Sequence, residues 1–182
     1  DEEERAEREI KKLLDDLRRT LEEVKEAIRR ILEDNRRTTK RINDEDRKIN
    51  DDLRRTLERR NISEDLERDV RRIHKENKEL NEKLNEDNKR IMDEIEEKAK
   101  RLEDRIREII KRIKKLLEEM RRDGLDVDKV LKEVEETIDR VKKDIRRALR
   151  EVEETSKEDK KRLREVLERS KDLARRLKEK LK

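Results

Sequence analysis

Among its 182 residues the chain has no cysteine, no proline, no phenylalanine, tyrosine or tryptophan, and a single glycine. Each absence excludes something. Without thiols there is no disulfide, no thiolate nucleophile and no zinc–thiolate site. Without proline the strongest helix breaker is missing. Without aromatics there is no platform on which bases stack. Basic runs such as Lys160-Lys161-Arg162 are interleaved with acids, so nucleic-acid binding is not expected. No apolar run approaches the ~20 residues of a membrane span, and no apolar signal segment opens the sequence. A membrane role and a targeting signal are therefore not expected.

What is present is charge. The 58 basic and 54 acidic residues make up 62% of the chain yet leave a net charge of only +4. Ordinary globular domains carry ~25% charged residues. Two kinds of chain show this bias, disordered polyampholytes and long helical assemblies, and periodicity separates them.

The apolar residues form three stripes with steps of three and four, the signature of one helix face. The first includes Ile10, Leu13, Leu17, Leu21, Val24, Ile28 and Ile31 and continues to Leu57. The second runs from Leu66 through Ile95 and Ile106 to Leu117. The third runs from Val127 through Ile138 and Ile145 to Leu181. Flanking residues such as Leu14, Leu32 and Leu167 widen the stripes to an ordinary bundle face. A disordered chain has no reason to keep such a phase.

Two breaks share one grammar. Asn61-Ile62-Ser63 and Gly124-Leu125-Asp126 each begin with a residue tolerant of positive φ. Each continues with an apolar residue placed to cover the preceding turn and ends with an N-cap side chain. The sequence thus predicts an all-α, antiparallel up-down-up three-helix bundle with helices over about 1–60, 64–123 and 127–182, in one elongated domain. At ~1.5 Å per residue each helix is roughly 85–90 Å long. Thr155-Ser156 and Asp159 resemble a break, but the hydrophobic phase passes through them, so the third helix is read as continuous.

The repeat is 18 residues long: Leu13, Ile31 and Ile49; Leu66, Leu84 and Leu102; Val127, Ile145 and Leu163. Eighteen residues in five turns match the natural pitch of an α-helix, whereas a heptad repeat imposes a left-handed supercoil. Nearly straight helices are the expectation.

Part of each stripe is polar. The first helix carries Asn35, Thr38, Thr39, Asn43, Asp46 and Asn50 on or beside its inner face. The second carries His74, Asn77, Asn81, Asn85 and Asn88; the third carries Thr155, Ser156, Asp159 and Ser170. Folding the chain about its breaks places Asn35 opposite Asn88 and Asp159, Thr39 opposite Asn85, Asn43 opposite Asn81 and Ser170, and Asn50 opposite His74. The expectation is a set of buried hydrogen-bond networks. An unpaired buried amide costs ~1–3 kcal/mol, so such networks favour the one register that satisfies them. His74 is read as a network or flank residue, since no nucleophile accompanies it. Asp46, Asp159 and His74 do not converge, so no metal is expected, and no cofactor either.

These features together resemble de novo designed helical bundles built on parametric backbones with buried hydrogen-bond networks. The carriers are the long helices, the two similar loops with Asn61, Ser63, Gly124 and Asp126, the Glu/Lys/Arg-rich surface, the 18-residue repeat and the aligned polar layers. The resemblance implies a protein made to test folding or to serve as a structural scaffold, with no evolved activity. The apolar inventory, roughly one inward stripe per helix, favours a stand-alone monomer with no required partner, and no enzyme is expected. The alternative is a helical interaction module that forms a homo-oligomer or binds a partner helix.

Overall fold

The computed structural model describes residues 1–59 and 62–180; Asn61, expected to end the first helix, lies outside them. The described chain is three helices: α1 (Glu2–Glu58), α2 (Glu64–Asp123) and α3 (Val127–Lys180). α3 passes without interruption through Thr155 and Asp159. All three helices contact one another as a three-helix bundle.

The termini are capped by the chemistry their sequences offer. Asp1 Oδ1 accepts the Glu3 amide at 3.2 Å, Ser63 Oγ accepts Leu66 N at 3.3 Å, and Asp126 Oδ1 accepts Asp128 N at 3.1 Å. Each occupies one of the amides that a helix start leaves unpaired. Gly124 has φ +62°, the left-handed conformation that ends α2 and that a Cβ would penalise. Leu125 departs from expectation. It is 38% exposed, so the connection is closed by backbone geometry and the Asp126 cap, not by an apolar cover.

The chain groups into two compact units. The first comprises Asp1–Arg30 and Glu94–Glu153, the second Ile31–Asp93 and Glu154–Lys182. In the first unit, Glu7 pairs with Arg121 and Lys25 with Glu103, so α1 and α2 partners descend in number as the other ascends. Arg105–Asp144 and Lys98–Glu151 relate α2 to α3 in the same opposed sense. Asp16–Lys142 sets α3 alongside α1, 126 positions on.

In the second unit, Asp34–Lys160, Glu45–Lys171 and Asp52–Lys178 keep that offset of 126. Asn43 and Asn85 continue the α1–α2 series begun by Glu7–Arg121 and Lys25–Glu103, each step being 18 residues along either helix. These pairings fit an up-down-up course. The 18-residue repeat is therefore a repeat of contacts as well as of residue types: Asp16, Asp34 and Asp52 each meet a lysine of α3, and those lysines are also 18 apart.

The first unit has an aliphatic interior. Ile10, Leu17, Ile106, Ile113, Val134, Ile138 and Ile145 are all buried. The buried face of α1 is rotated slightly from the expected stripe. Leu14 and Leu32 are buried, whereas Leu13 and Ile31 are half-buried. Neighbouring residues lie ~100° apart on a helix, and Leu14 is the one in phase with Leu17 and Leu21.

Candidate functional site

The polar residues singled out by the sequence belong to the second unit, where they form two clusters separated by an apolar one. In the first cluster, Asn88 Nδ2 donates to Thr39 Oγ1 at 3.1 Å. The Thr39 hydroxyl lies 2.8 Å from the Asn35 carbonyl and 3.3 Å from Asn35 Oδ1. Asn35 Nδ2 donates onward to Asp159 Oδ2 at 3.1 Å and Ser156 Oγ at 3.4 Å. All three helices are tied together through Asn35 and Thr39.

Ile42, Leu163 and Leu167, with Ile49 against them, form the apolar cluster. Beyond it Asn81 Nδ2 donates to Asp46 Oδ2, which also accepts Asn50 Nδ2 at 3.3 Å. Ser170 Oγ donates to Asn77 Oδ1 at 3.1 Å. Asn43 Nδ2 donates to Asn85 Oδ1 at 3.1 Å on the flank.

Asn35, Thr38, Asp46, Asn77, Asn88, Ser156, Asp159 and Ser170 are buried. Thr39, Asn43, Asn50, Asn81 and Asn85 are half-buried. His74 and Thr155 are exposed and stand outside the clusters, a correction to the expected set. Thr155 precedes the buried Ser156 by one residue, and that ~100° step turns it outward. His74 follows the half-buried Ile73 and is turned out by the same step.

The expected partners were largely displaced by one turn. Asn35 does meet Asp159. However, Asn43 bonds Asn85 instead of Asn81, Thr39 bonds Asn88 instead of Asn85, and Ser170 bonds Asn77 instead of Asn81. α1 and α2 partners have numbers adding to 127 or 128, whereas folding about the break implied 123 or 124. The end of α1 is thus level with residues near Val70, so α2 begins above it. A loop's length does not fix relative height, because the connecting chain can climb along the axis.

The networks are incompletely satisfied. Asp46 Oδ1 and Asn88 Oδ1 are buried and accept no hydrogen bond. Burial raises the Asp159 carboxyl above its usual pKa, against the opposing pull of the Asn35 hydrogen bond and nearby Arg162, while Asp87 adds to the rise. On the surface the reverse holds: hydrogen bonds from Arg121, Arg29, Lys98 and Lys178 lower Glu7, Glu26, Glu151 and Asp52 respectively.

One feature was not legible from the stripes. A cavity of about 500 Å3 adjoins the second cluster, lined by Asn50, Asn77 and Ser170 together with half-buried leucines and isoleucines. Its signal in the sequence is a substitution within the repeat. The positions of Leu14, Ile113 and Val134, moved 36 residues along their helices, hold Asn50, Asn77 and Ser170.

Among the described residues, no group of three or more His, Asp or Glu stands close enough to hold a metal ion, and no helix is long and apolar enough to cross a membrane. The polar groups inside the bundle are engaged chiefly with one another. Compared with known protein families, curated protein sequences and solved structures, the chain matches none.

Proposed function

We propose that this protein is a structural scaffold, a de novo designed monomeric three-helix bundle, in which the polar clusters select one register and the aliphatic layers supply stability. The observation that carries the reading is the recurrence of one cross-helix contact, Asp16–Lys142, Asp34–Lys160 and Asp52–Lys178, at a constant 18-residue step and a constant offset. Such regularity follows when one backbone period is written along a whole bundle.

A repeating apolar bundle has a weakness that the clusters address. Moving α1 by one 18-residue repeat would leave aliphatic positions facing one another and two of the three Asp–Lys pairs with α3 matched, against one like-charge contact with α2, Glu7 with Glu103 or Lys25 with Arg121. It would also pull Asn35 away from Asp159 and Asn88 away from Thr39, leaving buried groups unpaired. A single buried Asn fixes register in coiled coils for the same reason. The partner-binding alternative finds no fully exposed apolar face: among the described residues Leu125 is the one large hydrophobic side chain that is exposed, and the half-buried Leu53, Leu57, Ile73 and Leu173 line a cavity.

The test is a variant in which the first cluster receives the residues found one repeat away: N35L/T39L/N88I/S156I/D159V, copying Leu17, Leu21, Ile106, Ile138 and Val141. The wild type should run as a 22.5 kDa monomer in size exclusion with light scattering, and melt above the mesophilic range of about 45–65 °C. The variant should melt higher still but populate oligomers or several sets of methyl resonances. A variant that remains one monomeric species with one set of resonances would remove the specificity role.

A further inference from the structure

We propose that the cavity of the second unit is a binding site for a small neutral molecule, an apolar ring system carrying one hydrogen-bonding group. The wall is aliphatic, built from Leu53, Leu57, Val70, Ile73, Leu173 and Leu177. Of these, Leu53, Leu57, Ile73 and Leu173 are only half-buried, so apolar surface here remains in contact with water. Covering it releases that water, with a gain that scales with the area removed.

The volume defines the occupant. About 500 Å3 lies within the 300–1,000 Å3 range of pockets that enclose small organic molecules. It exceeds by a few-fold the ~150 Å3 of an apolar cavity that accommodates benzene. A ligand of two or three fused or linked rings matches it.

The floor defines the polar group. Asn50 gives its amide N–H to Asp46, leaving its carbonyl oxygen as an acceptor. Asn77 Oδ1 accepts from Ser170, leaving its Nδ2 as a donor. One ligand N–H, O–H or carbonyl therefore finds a complement.

The rim argues for neutrality. Asp51, Glu58 and Glu67 line the cavity beside Arg54, Arg71 and His74; Arg54 lies 3.8 Å from Asp51 and Arg71 2.6 Å from Glu67, so the lining offers an anion no excess of positive charge. The site exists because the third repeat breaks the packing rule of the first. Leu14, Ile113 and Val134 are 3%, 2% and 0% exposed, and their counterparts at the cavity are the smaller, polar Asn50, Asn77 and Ser170.

N-Phenyl-1-naphthylamine tests the proposal on the full chain. It is neutral, carries one N–H, and fluoresces in apolar surroundings, and the protein has no aromatic residue to interfere. Saturable one-to-one binding is expected, with Kd below about 100 µM for a ligand of this size. Methyl shifts should be confined to Leu53, Leu57, Val70, Ile73, Leu173 and Leu177. Its sulfonated analogue, 8-anilinonaphthalene-1-sulfonate, should bind at least tenfold more weakly.

The variant N50L/N77I/S170V restores the composition of the first repeat, should remain folded, and should weaken the neutral probe at least tenfold. Unchanged affinity in that variant would overturn the proposal. So would equal or tighter binding of the sulfonate, methyl shifts spread into residues 99–113, or fluorescence that rises only where light scattering reports a dimer.

Discussion

Leu14, Ile113 and Val134 in the first unit, and Asn50, Asn77 and Ser170 in the second, occupy the same positions of one repeat. The former are apolar and closed to solvent; the latter are polar and line a cavity. Elsewhere the contrast persists: Leu21, Ile106 and Val141 in the first unit correspond to Thr39, Asn88 and Asp159 in the second. A common backbone period thus supports two kinds of interior. Each buried methylene contributes ~0.8 kcal/mol, whereas a buried hydrogen bond nets only ~0.5–1.5 kcal/mol and has to be fully satisfied. With Asp46 Oδ1 and Asn88 Oδ1 unpaired, the second unit gains less per residue. What it gains instead, on the reading proposed above, is discrimination between registers.

The largest effect should come from cutting into the dry interior. Ile106→Ala, at a fully buried position, should cost about 2–5 kcal/mol in urea unfolding. Leu57→Ala, at a half-buried wall of the cavity, should cost only about 1 kcal/mol. Equal losses would erase the distinction between the two interiors.

Breaking a network from one side comes next. Asn35→Leu removes the donor to both Asp159 and Ser156 and should cost roughly 1–3 kcal/mol. N35L/D159V, which removes the stranded carboxylate as well, should recover most of that loss in the same assay. A double variant less stable than the single one would show the network to be stabilising beyond its pairing.

Much of this was legible beforehand. The helix boundaries followed from Ser63, Gly124 and Asp126, because caps and positive φ are local properties of those residues. The presence of a polar stretch followed from the repeat, since Asn and Asp interrupt a stripe that is otherwise aliphatic. Who bonds whom was not legible between α1 and α2, because heights one turn apart present the same face and loop length does not choose between them. The Asn35–Asp159 pairing agrees with the expectation from the sequence. His74 was misplaced because a single polar residue beside an apolar stripe carries no phase of its own. The cavity was missed because a stripe records polarity, not volume.

A smaller effect concerns Asp159. Burial holds its folded pKa above the usual 3.8, so the folded state binds the proton more tightly than the unfolded chain. That contribution is complete below the unfolded value and is lost as pH rises through the folded one. Asp159→Asn, uncharged at every pH, should therefore be more stable than the wild type at pH 7. The difference should shrink as pH falls toward 3.8, as paired melts across this range would record. A difference independent of pH would assign the effect to packing. The smallest effect belongs to the surface: Asp16→Ala should change stability by at most about 0.5 kcal/mol, and the change should fade in high salt.

The contrast between the two interiors is tested most directly by native-state amide hydrogen exchange, which reads opening free energies residue by residue. The account predicts faster exchange in residues 39–50, 77–88 and 159–170 than in residues 10–28, 99–113 and 134–148, with the two groups separated under conditions where neither unit unfolds globally. Equal protection in both groups, or slower exchange around Asn77–Asn88, would contradict it and make the polar clusters as strong as the aliphatic layers.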